Sequence, residues 1–181
     1  MAHVIEPASS GRSKCRGCGE KIEKGVLRFG EELENPFADG MMTHWFHLDC
    51  GAFKRPEPLL ETLEGREDRL DGEDSLELEA RKGLEHRRLP RVNGAERAPS
   101  GRAKCRACRE AIAKDAWRVP LVYWEEGRFE PSGFIHARCV GDYFETTDVM
   151  ARVRRFSRKL SEGELEELRG ELEGKVSDGS S

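Results

Sequence analysis

A pattern of cysteine and histidine occurs twice in this chain and sets strong limits on how it can fold. The first copy reads Cys15-x2-Cys18-x28-His47-x2-Cys50, and the second reads Cys105-x2-Cys108-x27-His136-x2-Cys139. Each copy holds three cysteines, an odd number that cannot close into disulfides within one copy. Three thiolates and one imidazole complete a tetrahedral site for zinc, and each x2 spacing lets two ligands bind from one turn. The sequence therefore predicts two structural Zn²⁺ ions, one in each copy.

The histidine ligand of the first copy is chosen by comparing the two copies. The stretch HWFHLDC offers both His44 and His47, whereas GFIHARC in the second copy contains only His136, three residues before its cysteine. The repeat therefore predicts His47 as the ligand and leaves His44 as a surface residue or one that supports the ligands. Four strong protein ligands leave no open position for catalysis. Iron–sulfur binding remains an alternative, but a Cys3His set with a long central gap favours zinc.

A longer segment around the first two cysteines is also repeated. SGRSKCRGCGEKIEKGVLRF, from Ser10, and SGRAKCRACREAIAKDAWRV, from Ser100, are identical at eleven of twenty positions. The net charge of −4 argues against an anionic partner, but local patches govern where an anion binds. Basic residues surround both cysteine pairs, which makes them candidate nucleic-acid contacts: Arg12, Lys14, Arg16, Arg102, Lys104 and Arg106.

The composition limits how the chain can be stabilised. Apolar residues and charged residues each make up 36% of the sequence, which is a small apolar supply for two separate cores. A unit of about 80 residues usually needs a disulfide or a metal in addition to its core. No apolar run approaches the roughly 20 residues of a membrane span, and the N-terminus lacks the pattern of a secretory signal. We therefore expect no membrane association and a reducing compartment, where disulfides are disfavoured.

These motifs resemble a known family. SGR-x-x-C-x2-C followed by HWFHLDC is similar to the zinc finger of the poly(ADP-ribose) polymerases, which also begins one of the vertebrate DNA ligases; in the second copy Phe134 stands where Trp45 stands. The resemblance implies small α+β zinc-stabilised domains, two in tandem, each with a short antiparallel sheet and helices. It also implies recognition of DNA strand breaks, nicks and ends by structure rather than sequence. Because 181 residues have no room for the family's catalytic domain, we expect no enzymatic activity.

The resemblance also assigns contacts to particular residues. Its phosphate-contacting arginine falls on Arg12 and Arg102, and a second arginine, ten residues past the second cysteine, falls on Arg28 and Arg118. The family uses apolar side chains before the histidine to cover the base pair exposed at a break. In this chain, one of those stacking positions is occupied by Ala38. The remaining candidates for this role are Phe37, Met41 and Met42 in the loop NPFADGMM, and Trp124 and Phe129 in the loop YWEEGRFEPSG.

The pattern of the remaining sequence predicts the domain organisation. We expect an N-terminal tail over 1–8, a first finger over 9–88, a linker over 89–97, a second finger over 98–174 and a disordered tail over 175–181. Strands are predicted at Val26–Phe29 and Trp117–Trp124, and short helices near Leu48 and Ala137.

Further helices are predicted towards the end of each copy. Gly72 and Gly83 are expected to interrupt helical segments in the first copy. A helix capped near Thr147 is expected in the second copy, followed by one with a Ser161–Glu164 capping box. The apolar face of that last helix is predicted to hold Leu165, Leu168 and Leu172.

Two functional hypotheses follow. The first is a monomeric DNA break-binding module for DNA repair, with a repair enzyme acting in trans. The second is an interaction module that binds protein or structured RNA, favoured by the acidic segments after each Cys/His block. An enzyme is disfavoured because no nucleophile–base pair or glycine-rich phosphate loop is recognisable. The expected compartment is the cytoplasm, associated with the nucleoid, in a bacterium and the nucleus in a eukaryote.

Overall fold

The computed structural model describes residues 2–173, which form two compact units. The first comprises the chain up to Pro90 together with Trp124–Phe129, and the second comprises Arg91–Tyr123 and the chain from Glu130 onward. The predicted disordered tail, 175–181, lies outside the described residues.

The first unit contains a three-stranded antiparallel sheet. Its strands are β1 (Val4–Pro7), β2 (Leu27–Glu34) and β3 (Met41–His47), in the order β1-β2-β3. Phe29 of β2 pairs with Phe46 of β3, and both rings are fully buried in the core. The stretch 1–8, predicted as a tail, instead supplies a strand, because Val4–Pro7 pairs with β2 and Ile5 is buried.

Three helices complete the first unit: α1 (Leu48–Lys54), α2 (Pro56–Glu64) and α3 (Glu73–Glu85). The start of α1 at Leu48 confirms the prediction. Gly72 precedes α3 with a φ of 76°, in the left-handed region that favours glycine. The predicted break at Gly83 is wrong, because α3 continues through it. A Cβ at Gly83 would lie 3.1 Å from Cγ of Pro56, so this glycine allows two helices to approach closely.

The stretch predicted as a linker is ordered. A short 3₁₀ turn at Leu89–Arg91 is followed by strand β4 (Glu96–Arg97). Val92 and Ala95 are buried, and the backbone N–H of Ala95 donates to Oγ of Ser157 at 2.8 Å. Residues 91–97 are therefore part of the second unit rather than a spacer.

The second sheet has the order β4-β5-β6, with β5 at Trp117–Glu125 and β6 at Arg128–His136. Glu126 and Gly127 both have positive φ, 49° and 82°, as a two-residue type I′ hairpin requires. The sequence YWEEGRFEPSG was expected to form a loop. It instead forms a tight hairpin, because Glu-Gly supplies the turn and the flanking residues continue both strands.

The helical part of the second unit begins with a 3₁₀ turn at Ala137–Cys139, followed by α4 (Val140–Phe144), α5 (Met150–Phe156) and α6 (Glu162–Glu173). The helix expected to be capped near Thr147 begins later, with Val149 at its N-cap.

The capping box of α6 is confirmed. Ser161 N–H donates to Glu164 Oε1 at 3.2 Å, and Glu164 N–H donates to Ser161 Oγ at 3.1 Å. The three predicted leucines of α6, at 165, 168 and 172, are buried. Among residues 2–173, no helix has the length and apolar character needed to cross a membrane.

Candidate metal centres and nucleic-acid interface

Each Cys/His set forms a compact cluster in the structure. The first consists of Cys15, Cys18, His47 and Cys50 and the second of Cys105, Cys108, His136 and Cys139, with the ligand atoms of each set all within 4.8 Å of one another. The local cause is the same in both copies. A turn carries the first cysteine pair, and the histidine ends a strand that leads directly into a helical turn carrying the last cysteine. The structure thus brings together all eight predicted ligands.

The distances within the clusters fit a tetrahedral zinc ion. Cys18 Sγ lies 3.4 Å from His47 Nδ1, and in the second cluster His136 Nδ1 lies 3.4 Å from Cys108 Sγ and 3.8 Å from Cys139 Sγ. Ligands bonded to tetrahedral zinc at about 2.0–2.3 Å are separated by roughly 3.5–3.8 Å. The two Cys3His clusters are therefore structural zinc sites.

Backbone groups orient the ligands in both clusters. The N–H groups of Gly17 and His47 donate to Cys15 Sγ, both at 3.3 Å, and Ala107 and His136 donate to the second copy's first cysteine at the same distance. Such hydrogen bonds favour a thiolate. Nε2 of His136 lies 3.1 Å from the carbonyl oxygen of Ala111. When Nε2–H donates to that oxygen, Nδ1 is left with its lone pair towards the sulfurs.

Crowding of the thiols explains why the clusters require a cation. The neighbouring thiols of Cys15 and Cys18, and then burial, raise the pKa of Cys50. Burial, and then the negative charge of Cys105, raises the pKa of Cys139 to about 12. Several thiolates cannot stay ionised together at such short range unless a divalent cation neutralises them. The donor set therefore fits zinc by its charge as well as by its spacing.

Two polar residues near the first cluster are buried. His44 is 3% exposed and neither ring nitrogen has a hydrogen-bond partner, so the expectation of a surface residue is wrong. Lys54 is also 3% exposed and donates from Nζ to the Gly17 carbonyl oxygen at 3.2 Å. Burial lowers the pKa of Lys54 to about 8. Sequence reasoning missed Lys54, although its position four residues after Cys50 places it on the same face of α1.

The six basic residues around the cysteine pairs are all exposed. None of them forms an ion pair with another residue of the described chain. The turn that carries them in the first copy is fixed by backbone hydrogen bonds, from Cys15 N–H to the Glu20 oxygen at 2.8 Å and from Ile22 N–H to the Ser13 oxygen at 2.9 Å. These cationic groups are thus available to an anion and are held on a rigid turn.

The two arginines further along the repeat are in a different environment. Arg28 and Arg118 are only 6% and 7% exposed. Each guanidinium stacks on an aromatic ring, with Cζ 3.5 Å from the centroid of Trp45 in the first copy and 3.6 Å from that of Phe134 in the second. Each also forms an ion pair with a glutamate that is its partner in the sheet, Arg28 with Glu6 and Arg118 with Glu96. Both retain a buried Nε–H without a hydrogen-bond partner.

Phe37 is the most exposed large apolar residue of the first copy. It lies on the loop between β2 and β3 and is 89% exposed. The loop is closed by Asn35, whose N–H donates to the Gly40 oxygen at 3.0 Å and whose side-chain oxygen accepts from Phe37 N–H at 2.9 Å. Met41, at the start of β3, is 45% exposed, and Met42 is half-buried.

The corresponding aromatic residues of the second copy are already packed. Trp124 and Phe129 face each other across the hairpin, with ring centroids 4.6 Å apart. Both belong to the first unit, where each ring lies about 6 Å from the ring of Phe46, at 5.9 and 6.3 Å. The Trp124 ring also contacts His44 and the guanidinium of Arg55.

Comparison with known proteins identifies the first copy. Residues 6–87 match the model of the family described as "Poly(ADP-ribose) polymerase and DNA-Ligase Zn-finger region". This stretch is a PARP-type zinc finger. The match begins at Glu6, in strand β1, so the family's region includes the strand that pairs with Arg28.

Two of three alignments to poly(ADP-ribose) polymerases are longer than the matched stretch 6–87. The poly [ADP-ribose] polymerase of Sarcophaga peregrina is 30% identical over 132 residues, 64% of this chain and 13% of the relative. Poly [ADP-ribose] polymerase 1 of Oryza sativa is 30% identical over 145 residues, 76% of this chain and 14% of the relative. The protein of the same name from Xenopus laevis is 42% identical over 57 residues, 30% of this chain and 6% of the relative. The matched regions thus span a small fraction of these polymerases.

Proposed function

We propose that this chain binds DNA at strand breaks, nicks and ends, and that it recognises their structure rather than their sequence. The observation that carries the proposal is the exposure of Phe37: this residue is 89% exposed, and it lies on a loop of a PARP-type zinc finger. Exposed apolar patches are typical of binding sites, and Phe37 is followed, four and five residues later, by the exposed Met41 and the half-buried Met42.

The preference for breaks follows from base stacking. At a nick or an end, the terminal base pair lacks a neighbour on one face, and an aromatic ring can occupy that place. Such a contact contributes about 1–3 kcal/mol per base. In an intact duplex the base faces are covered, so the same ring gains nothing unless a base step is first unstacked. Met41 and Met42, next to the loop, extend the apolar surface.

The exposed basic residues supply the sequence-independent part of the affinity. Lysine and arginine at phosphate oxygens give strong, salt-dependent binding without reading the bases. We assign this role to Arg12, Lys14 and Arg16 and to their counterparts Arg102, Lys104 and Arg106, which are exposed. Arg28 and Arg118 are also assigned a phosphate contact, because they occupy equivalent positions of the repeated segment, ten residues after the second cysteine of each copy.

The two copies have different roles in this proposal. The rings of Trp124 and Phe129 are engaged in packing, so base stacking is assigned to the first copy alone. The second copy contributes phosphate contacts, and the covalent link between two weak sites raises affinity through effective concentration. Binding of DNA by a monomer, with a repair enzyme recruited in trans, is the simplest arrangement. The relatives named above are eukaryotic, which supports a nuclear location in a eukaryotic host.

The test is a comparison of three DNA structures at fixed salt. Zinc-loaded protein is titrated, with fluorescence anisotropy as the readout, into blunt-ended, nicked and covalently closed intact duplexes of the same sequence. We expect tighter binding to the nicked and blunt-ended molecules, by about 5- to 150-fold, which corresponds to one stacking contact. Equal affinity for all three would refute break recognition.

The alternative function is an interaction module for protein or structured RNA. The observation that favours it is Leu78 on the acidic helix α3, which is 57% exposed. Charge reversal separates the two functions. Arg12→Glu combined with Arg102→Glu should abolish DNA binding if DNA is the partner, whereas unchanged DNA affinity would favour the alternative.

A further inference from the structure

The two buried arginines differ in their polar contacts, and one of the differences is a hydrogen bond that only the first copy can form. In the first copy, Arg28 Nη1 donates to Oγ of Ser13 at 2.9 Å and Nη2 donates to Glu6 Oε1 at 3.1 Å. In the second copy the residue two before the first cysteine is Ala103, which has no hydroxyl. The remaining ion pair of Arg118, with Glu96, is longer, at 3.5 Å.

The backbone around this position is the same in both copies. The backbone carbonyl oxygen of Ser13 accepts a hydrogen bond from Ile22 N–H at 2.9 Å, and that of Ala103 accepts one from Ile112 N–H at the same distance. The stacking distances of the two guanidinium groups on their aromatic rings differ by only 0.1 Å, 3.5 against 3.6 Å. The backbone hydrogen bond and the stacking distance are therefore alike in the two copies, which differ here in the side-chain hydroxyl and in the length of the ion pair, 3.1 against 3.5 Å.

The hydroxyl connects the arginine to the turn that carries the exposed cations. Ser13 lies between Arg12 and Lys14, so its bond to Arg28 fixes the guanidinium and this turn relative to each other. A guanidinium held by a hydroxyl, a carboxylate and a ring loses less conformational freedom when a phosphate binds than one held by two groups. The first copy is thus better organised for phosphate binding than the second.

We propose that the residue two before the first cysteine sets the relative phosphate affinity of the two copies, with Ser13 making the first the stronger. Ser13 is a positioning residue that acts through Arg28 and the adjacent exposed cations. This inference rests on the proposed DNA-binding function and adds to it a specific determinant of how the two copies share the affinity.

The test uses substitutions matched in shape. Threonine keeps the hydroxyl, and valine has nearly the same shape without it. In the full zinc-loaded chain, Ser13→Val should weaken binding to blunt-ended duplex about 3- to 10-fold, the size expected for loss of one side-chain hydrogen bond. Ser13→Thr should bind within twofold of the original chain. The reciprocal change Ala103→Ser should strengthen binding, whereas Ala103→Val should not.

Zinc content and circular dichroism are measured on every variant, so that a folding defect is recognised. The Arg28 guanidinium also gives a readout that needs no DNA: its N–H protons should exchange with water faster in Ser13→Val than in Ser13→Thr. If Ser13→Thr and Ser13→Val bind DNA equally tightly while the original chain still prefers breaks, this inference alone is overturned. Failure of the original chain to bind DNA would overturn both the inference and the proposed function.

Discussion

Phe37→Ala removes an aromatic ring that is 89% exposed before DNA binds. A phenylalanine buries roughly 150–250 Å² when fully covered, and stacking on a terminal base pair covers about one face of the ring, or about 80 Å². At about 25 cal/mol per Å² this area corresponds to about 2 kcal/mol, or about a 30-fold change in Kd. Because the ring makes few contacts in the protein, the free energy of unfolding should change by less than about 0.5 kcal/mol.

The assay compares Kd values of the original chain and Phe37→Ala for blunt-ended and closed intact duplexes at the same salt concentration. We expect the loss for the blunt-ended duplex alone, because no base face is available in the closed molecule. Leu78→Ala is the matched control, since Leu78 is also exposed and apolar but lies on α3, and it should alter binding less than twofold. A similar loss for both duplexes, or an affinity for ends within twofold of the original, would refute base stacking by Phe37.

Three further predictions concern the metal and the stability of the fold. Chelation of zinc should unfold both domains, because zinc supplies about 10–16 kcal/mol of free energy to the folding of such domains. Retention of the native circular dichroism spectrum without zinc would contradict this expected unfolding. Cys15→Ala should lower the metal content from about two ions to one. His44→Phe should stabilise the zinc-loaded protein by about 1 kcal/mol, since it removes two buried nitrogens that have no partner. Burial lowers the pKa of His44, so protonation favours the unfolded chain below a pH of about 6.5. The free energy of unfolding in urea should therefore differ more between the variant and the original chain at pH 6.0 than at pH 7.5. Ser161→Ala should destabilise the second unit by about 1 kcal/mol in thermal unfolding, whereas Ser161→Asp, which keeps an acceptor at the N-cap, should be nearly neutral.

The metal clusters could be predicted from the sequence because their chemistry is local. Cys-x2-Cys and His-x2-Cys each place two ligands on one turn, and the repeat itself resolved the choice between His44 and His47. The capping box of α6 is equally local and was also confirmed. The sequence is sufficient to predict a site when the residues that interact lie within a few positions of one another.

The remaining errors concern residues whose environment depends on distant parts of the chain. Gly83 was read as a helix breaker, but its lack of a side chain serves the approach of Pro56. His44 was predicted to lie at the surface or to support the ligands, and nothing in its neighbouring sequence reveals the ring of Trp124 that contacts it. The glutamates that pair with Arg28 and Arg118 lie 22 residues before each arginine, so only the sheet register brings them together.

The segment from Asn35 to Gly40 is a part of this domain whose sequence can vary without affecting the metal ligands. It connects two strands whose pairing is continuous from Arg28 opposite His47 to Glu34 opposite Met41, and it contributes no ligand to the metal cluster. We therefore expect substitutions or insertions within it to leave the zinc site and the sheet intact. New recognition properties can therefore be grafted at this one connection, by evolution or by design, without rebuilding the scaffold that presents it.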